Sequence, residues 1–252
     1  MAGDDAILVT EGLSKEFRGF LAVKDVALRV RRGSVHALIG PNGAGKTTCF
    51  NLLTGFLAPT RGRILFAGRD ITGLRPAAVA QLGIVRSFQI SAVFGHLSAL
   101  ENVRVALQRG RGHSFDFWRS ERVLEALDGR ALELLEAVGI AEWAETAAGE
   151  LPYGRKRALE LATTIALDPT LMLLDEPTAG MGREDVQRVT ELIRRVARGR
   201  TVLMVEHNLK VVADLCDTIT VLARGEVLAE GDYARIAADP RVREAYMGAE
   251  AA

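Results

Sequence analysis

Cysteine is nearly missing from this sequence: two thiols, Cys49 and Cys216, stand among 252 residues. That excludes a disulfide framework, and a reducing cytosolic compartment is the simplest reading. Excess charge is missing as well, since Lys+Arg and Asp+Glu both total 32. No net field draws the chain onto nucleic acid or an acidic membrane, so no nucleic-acid partner is expected. Clean apolar runs such as Leu171-Met172-Leu173-Leu174 fall far short of the ~20 residues that cross a bilayer. If the protein works at a membrane, other chains do the crossing. The opening Met-Ala-Gly-Asp-Asp is acidic where a secretory signal would be basic. What is present, 48% hydrophobic and 25% charged residues, fits a globular protein and argues against disorder or a coiled coil.

Apolar periodicity supplies the elements. Val26, Leu28 and Val30 alternate with Ala27 and Arg29, predicting a half-buried strand over 26–30. A mostly apolar strand over 34–39 runs into a Gly-rich loop, and Phe50, Leu53 and Leu57 give helical spacing over 46–57. Three glycines around Ile64-Leu65-Phe66 suggest short strands and turns over 61–73. The pattern over 98–138 is helical, with a loop at 110–112, an apolar stripe from Val123 to Val138 and a possible break at Gly129. Beyond it come a helix over 156–167, a buried strand over 170–175, a helix over 184–198 and a strand over 201–205. A hairpin turning at Arg224-Gly225 and a terminal helix over 233–247 complete the chain. Strands alternating with helices argue for a parallel α/β sheet, read as one domain with a helical insertion.

Two motifs carry chemistry. Gly40-Pro41-Asn42-Gly43-Ala44-Gly45-Lys46-Thr47 matches the phosphate-binding loop pattern and lies between a predicted strand and helix. Glycines let successive backbone N–H groups face phosphate oxygens, and the helix start adds positive potential. Lys46 would reach the β/γ-phosphates, and the Thr47 hydroxyl would ligate Mg²⁺. The second motif, Leu171-Met172-Leu173-Leu174-Asp175-Glu176, is a buried strand ending in two carboxylates. Asp175 suits Mg²⁺ through water, and Glu176 suits orienting or deprotonating the attacking water. A strand ending in two acids is, by itself, as easily a solvated strand end; the phosphate loop upstream makes it a nucleotide hydrolysis site.

Gly40 through Thr48, then Leu151-Pro152-Tyr153-Gly154-Arg155, Leu171 through Pro177 and His207 together resemble the ATP-binding subunit of ABC transporters. The resemblance spans essentially the whole chain. It implies an α/β P-loop NTPase of ABC type: a mixed sheet core with an N-terminal β subdomain and a helical insertion subdomain. The implied division is a nucleotide-binding core over 1–88 and 156–232, a helical subdomain with the signature segment over 89–155, and a C-terminal helical tail over 233–252. It implies ATP and Mg²⁺ as ligands, with Thr48 closing the phosphate loop. Gln89 matches the glutamine that contacts Mg²⁺ and faces the membrane domain. His207 matches the switch histidine that holds the γ-phosphate and the attacking water. Phe17 takes the place of the aromatic that stacks on adenine, with Phe20 as a rival. Taken without the resemblance, Gln89 and His207 are ordinary solvated residues, and His36, His96 and His113 are read as structural or exposed.

The sequence departs from the family pattern twice. Pro152 replaces the signature serine, leaving Gly154 and the following helix start to meet the phosphate of a partner subunit. Gly182 stands where the family usually has an aspartate. Gly83-Ile84-Val85-Arg86-Ser87-Phe88-Gln89, the linker near 109–130, and the ending from Asp239 to Gly248 resemble the branched-chain amino acid importers. That branch implies two membrane-spanning permease subunits, a second ATPase subunit, a periplasmic or extracellular binding protein, and a peripheral place at the cytoplasmic face of the inner membrane. Urea, amides, aromatic acids or lipid export remain alternative cargoes, and a soluble P-loop ATPase is a remote alternative. A GTPase is disfavoured because Asn-Lys-x-Asp is absent. Of Val93, Phe94 and Leu97, apolar in a polar loop, some are expected to stay exposed and receive a membrane-subunit helix, the alternative being that they pack under the helical insertion.

Overall fold

The computed structural model describes residues 5–87, 93–108 and 126–250. Gln89, His113, the loop at 110–112, most of the linker and the start of the Val123 stripe lie outside them.

The strands most buried are also the most apolar. β4 (Val35–Ile39), β8 (Leu171–Asp175) and β9 (Thr201–Val205) are buried at every position, as strands covered on both faces must be. They lie in a six-stranded sheet ordered β11-β10-β4-β9-β8-β7, with β7 (Ile84–Ser87), β10 (Thr218–Ala223) and β11 (Glu226–Gly231) completing it. All pairings are parallel except the β10–β11 hairpin, which turns at Arg224-Gly225. The sheet is therefore mixed, not wholly parallel as strand–helix alternation alone suggested.

Alternation along these strands divides the core in two. Leu38, Leu173, Leu203 and Leu222 pack toward α1 (Lys46–Leu53) and the N-terminal strands. Ala37, Ile39, Met172, Leu174 and Met204 face the helical side. The N-terminal strands form an antiparallel sheet ordered β2-β1-β5-β6, with β3 on β1: β1 (Ala6–Phe17), β2 (Phe20–Val26), β3 (Arg29–Arg31), β5 (Arg61–Phe66) and β6 (Arg69–Asp70). β1 and β2 join through Arg18-Gly19, both at positive φ, the backbone of a tight hairpin whose twist suits its strands.

α2 (Pro76–Gln81) precedes β7, and α3 (Ala99–Gln108), α4 (Asp128–Ala137) and α5 (Tyr153–Ala166) pack against one another. α6 (Arg183–Val196) and α7 (Leu209–Leu215) follow β8 and β9. Among the described residues no helix is long and apolar enough to cross a membrane.

Several boundaries differ from those the sequence predicts. The strand over 26–30 is two, because β2 ends at Val26 and β3 begins at Arg29. α1 stops at Leu53, where the Thr54 hydroxyl donates to the Phe50 carbonyl at 2.6 Å. α5 starts three residues early, which puts Gly154 in its first turn. Gly129 lies in the first turn of α4, which begins at Asp128 after a turn at 126–127. The terminal helix is two, α8 (Tyr233–Ala238) and α9 (Pro240–Glu250), interrupted at Asp239 because the residue before a proline avoids helical backbone.

Candidate nucleotide site

β4, β9 and β8 lie side by side and parallel, so their carboxyl ends open onto one edge. The phosphate loop follows the first, His207 the second and Glu176 the third. Ligands of open α/β sheets bind at that edge.

Two loop glycines are required by close approach. A Cβ on Gly40, at φ 150°, would sit 2.1 Å from the Leu222 carbonyl oxygen; on Gly45, at φ 103°, 2.5 Å from that of Ala22. Pro41, Asn42, Gly43 and Ala44 span the turn between them, Ala44 N–H donating to the Pro41 carbonyl at 3.2 Å. Gly45 caps α1, and no side chain among the described residues caps that end, so the first helical amides are free to meet an anion. Lys46 is buried, its Nζ donating to the carbonyls of Gly40 at 2.7 Å and Pro41 at 3.0 Å. Burial pulls its pKa down, and the carboxylates of Glu176 and Asp175 pull the other way. The ammonium is held on the loop carbonyls, and both acids of the second motif favour its charge. Thr47 is exposed on the same turn and Thr48 half-buried.

Asp175 is buried at the end of β8, paired with Val205 on β9. One carboxylate oxygen takes a short ion pair from Arg86, which also donates to Asn51 Oδ1 at 2.7 Å and lies over the Phe50 ring. Glu176 turns the chain at φ 47° and donates its N–H to the Val205 carbonyl at 2.8 Å. Its Oε1 lies 3.8 Å from His207 Nδ1, and the imidazole is largely exposed. Phe17 and Phe20 face each other at the β1–β2 hairpin tip, both exposed, with Lys15 Nζ 5.2 Å from the Phe17 ring centroid. The hairpin thus offers both aromatics and selects neither.

Gly154 lies apart from this edge, in a cleft of about 470 Å³ with Pro152, Tyr153 and Asp185. The Tyr153 hydroxyl donates to the Ala179 carbonyl at 3.1 Å, joining the signature segment to the loop after Glu176. Of the three loop residues, Phe94 is exposed and Val93 and Leu97 are half-buried. His36 is buried against Thr220, and His96 is exposed.

Three residues here were not singled out from sequence: Arg86, Tyr153 and Glu206. Glu206 had a signal, since Val202-Leu203-Met204-Val205-Glu206 repeats the pattern of a buried strand ending in an acid.

Residues 23–179 match the family model described as ABC transporter. The chain belongs to the ABC transporter ATP-binding family. Residues 226–252 further match the model described as branched-chain amino acid ATP-binding cassette transporter. Over 252 residues the chain is 40% identical to the high-affinity branched-chain amino acid transport ATP-binding protein BraF of Pseudomonas aeruginosa, covering 96% of this chain and 98% of that protein. It is 38% identical, with the same coverage, to the corresponding protein LivG of Escherichia coli K12. Among solved structures it resembles the ADP conformation of an ATP-binding cassette of an ABC transporter, at TM-score 0.84 and 32% identity over 96% of this chain and 99% of that one. This ABC subunit is thus a nucleotide-binding ATPase cassette with the two-sheet architecture of its family.

Proposed function

We propose that this ABC subunit binds and hydrolyses ATP to power an importer of branched-chain amino acids. The observation that carries the reading is the convergence of the phosphate loop, Asp175, Glu176 and His207 on one edge of parallel strands. The cargo rests on the relatives' names and on the matched C-terminal segment.

In this reading residues 40–48 cradle the phosphates, Lys46 neutralises them, Glu176 orients the attacking water and accepts its proton, and His207 steadies the γ-phosphate. Phe17 stacks on adenine. The donor set suits Mg²⁺: one hydroxyl (Thr47), one carboxylate (Asp175), Gln89 and the substrate's own phosphates match an ion that rarely takes an all-protein cage. Held there, the ion would supply charge neutralisation for the transferred phosphoryl group. The chain divides into a nucleotide-binding core over 1–88 and 156–232, a helical subdomain over 89–155 and a C-terminal helical tail over 233–252, as in the family it belongs to. ATP is held between the phosphate loop of one subunit and the Gly154 backbone of a second ATPase subunit. Two permease subunits dock on the cytoplasmic side, over a groove of about 400 Å³ lined by Phe56, Ala80, Phe94 and Val105.

Reconstitution of the subunit with its permeases, ATPase partner and binding protein tests this reading. Leucine, isoleucine or valine should stimulate ATP hydrolysis and accumulate in the vesicles. Stimulation by urea or an amide alone would overturn the cargo.

A further inference from the structure

Glu206 is a fully buried carboxylate at the end of a buried strand. Its charge is met by dipoles from two turns. Oε1 accepts the Thr178 N–H at 3.2 Å and, in a short bond, the Thr178 hydroxyl. Oε2 accepts the N–H groups of His207 at 2.8 Å and Asn208 at 3.1 Å. Burying a carboxylate is costly unless every oxygen is satisfied. An apolar residue would have continued β9 without that cost, so the acid is placed for what it holds.

It holds the two catalytic turns. Thr178 lies two residues after Glu176, and His207 is the next residue after Glu206. The same turns are laced in the other direction by the Glu176 N–H, which donates to Val205. The outcome is a 3.8 Å approach of Glu176 Oε1 and His207 Nδ1. We propose that Glu206 is a positioning residue for ATP hydrolysis: its carboxylate clamps the turn after Glu176 to the turn carrying His207. The clamp rests on the roles given above to Glu176 and His207. It touches neither nucleotide nor water and acts only through those two side chains.

Glu206→Gln tests it with the least disturbance. The amide keeps the shape and one acceptor oxygen, but its NH₂ group must oppose an N–H donor on one of the two turns. Displacing a reacting group by about 1 Å can cost ~10²-fold. Steady-state hydrolysis by the full chain assembled with its partner subunits should therefore lose ~10- to 100-fold in kcat, with the MgATP dissociation constant within about twofold of wild type. Thr178→Val removes one arm of the clamp. The Thr178→Val, Glu206→Gln double variant should be no slower than Glu206→Gln alone, because both substitutions break one link, and Thr178→Ser should restore the rate. In the nucleotide-free protein, hydrogen exchange in Glu206→Gln should quicken at the amides of Thr178, His207 and Asn208, leaving the rest of β8 and β9 protected.

Three results overturn the inference: wild-type kcat in Glu206→Gln, independent losses that multiply in the double variant, or faster exchange across the whole sheet with weakened MgATP binding. The last would make Glu206 a prop for the fold alone. Glu176→Gln, run beside them, separates the two levels. Normal turnover in that variant removes the reading of Glu176 itself, whatever Glu206 does.

Discussion

At the residue scale, Glu176 shows how the fold presents the side chain proposed to act on water. Its φ of 47° is left-handed, a conformation that costs a non-glycine residue roughly 1–2 kcal/mol. The pairing of Asp175 with Val205 and the Glu176 N–H bond to the same residue hold it there. The turn aims the carboxylate out of the strand end. His36 shows the opposite treatment. Buried beside Thr220, its imidazole is pushed down from the usual value to about 4, chiefly by desolvation and secondly by Arg31. The unfolded chain therefore binds more protons than the folded one between pH 6.5 and about 4. Stability from a neutral His36 is complete above that window and falls as pH drops through it, by roughly 3 kcal/mol in all. Urea unfolding of the purified subunit at a series of pH values should show this slope, and His36→Gln should flatten it; an unchanged slope would remove His36 as the cause. Lys46, Asp175, Glu176 and His207 were legible because each sits in a motif or in register with the family. Arg86 was not, and Glu206 showed only the pattern of a strand ending in an acid, because their contacts depend on partners 89 and 28 residues away, Asp175 and Thr178. Both cysteines are held as thiols: burial first of all raises each to about 12.

At the element scale, legibility followed burial. β4, β8 and β9 read clearly from sequence because strands covered on both faces are almost continuously apolar. β1 and β2 were missed because their register shifts between Leu13 and Lys15, and again before Glu16, so no clean alternation survives. α2 has six residues and too few turns to show a period. The break at Asp239-Pro240 was readable from the proline alone, and the apolar spacing on either side masked it. Elements also build the groove under α3, the surface proposed above for the permeases. Phe56, after α1, and Phe94, before α3, are both more than half exposed, an apolar pair that water covers poorly in the isolated subunit. Phe56→Ser with Phe94→Ser should leave MgATP binding by the free subunit unchanged and reduce co-purification with the permeases at least tenfold. Loss of ATP binding instead would assign both rings to the core.

At the scale of the whole molecule, one chain holds half of each proposed site. In the proposed function the phosphate loop, Glu176 and His207 serve its own nucleotide and Gly154 the partner's; Gly154 lies in a separate cleft, and Tyr153 ties that segment back to Ala179 in the loop after Glu176. The division itself was not readable from composition or periodicity; it is what the resemblance to the family implies. Everything then rests on Glu176 doing chemistry where Lys46 and the loop do binding. The direct measurement is MgATP affinity and turnover of Glu176→Gln in the assembled transporter. The account predicts affinity close to wild type, a persistent ATP-bound dimer, and turnover lower by ~10²–10⁴, the range of a positioned base. Turnover close to wild type would contradict it.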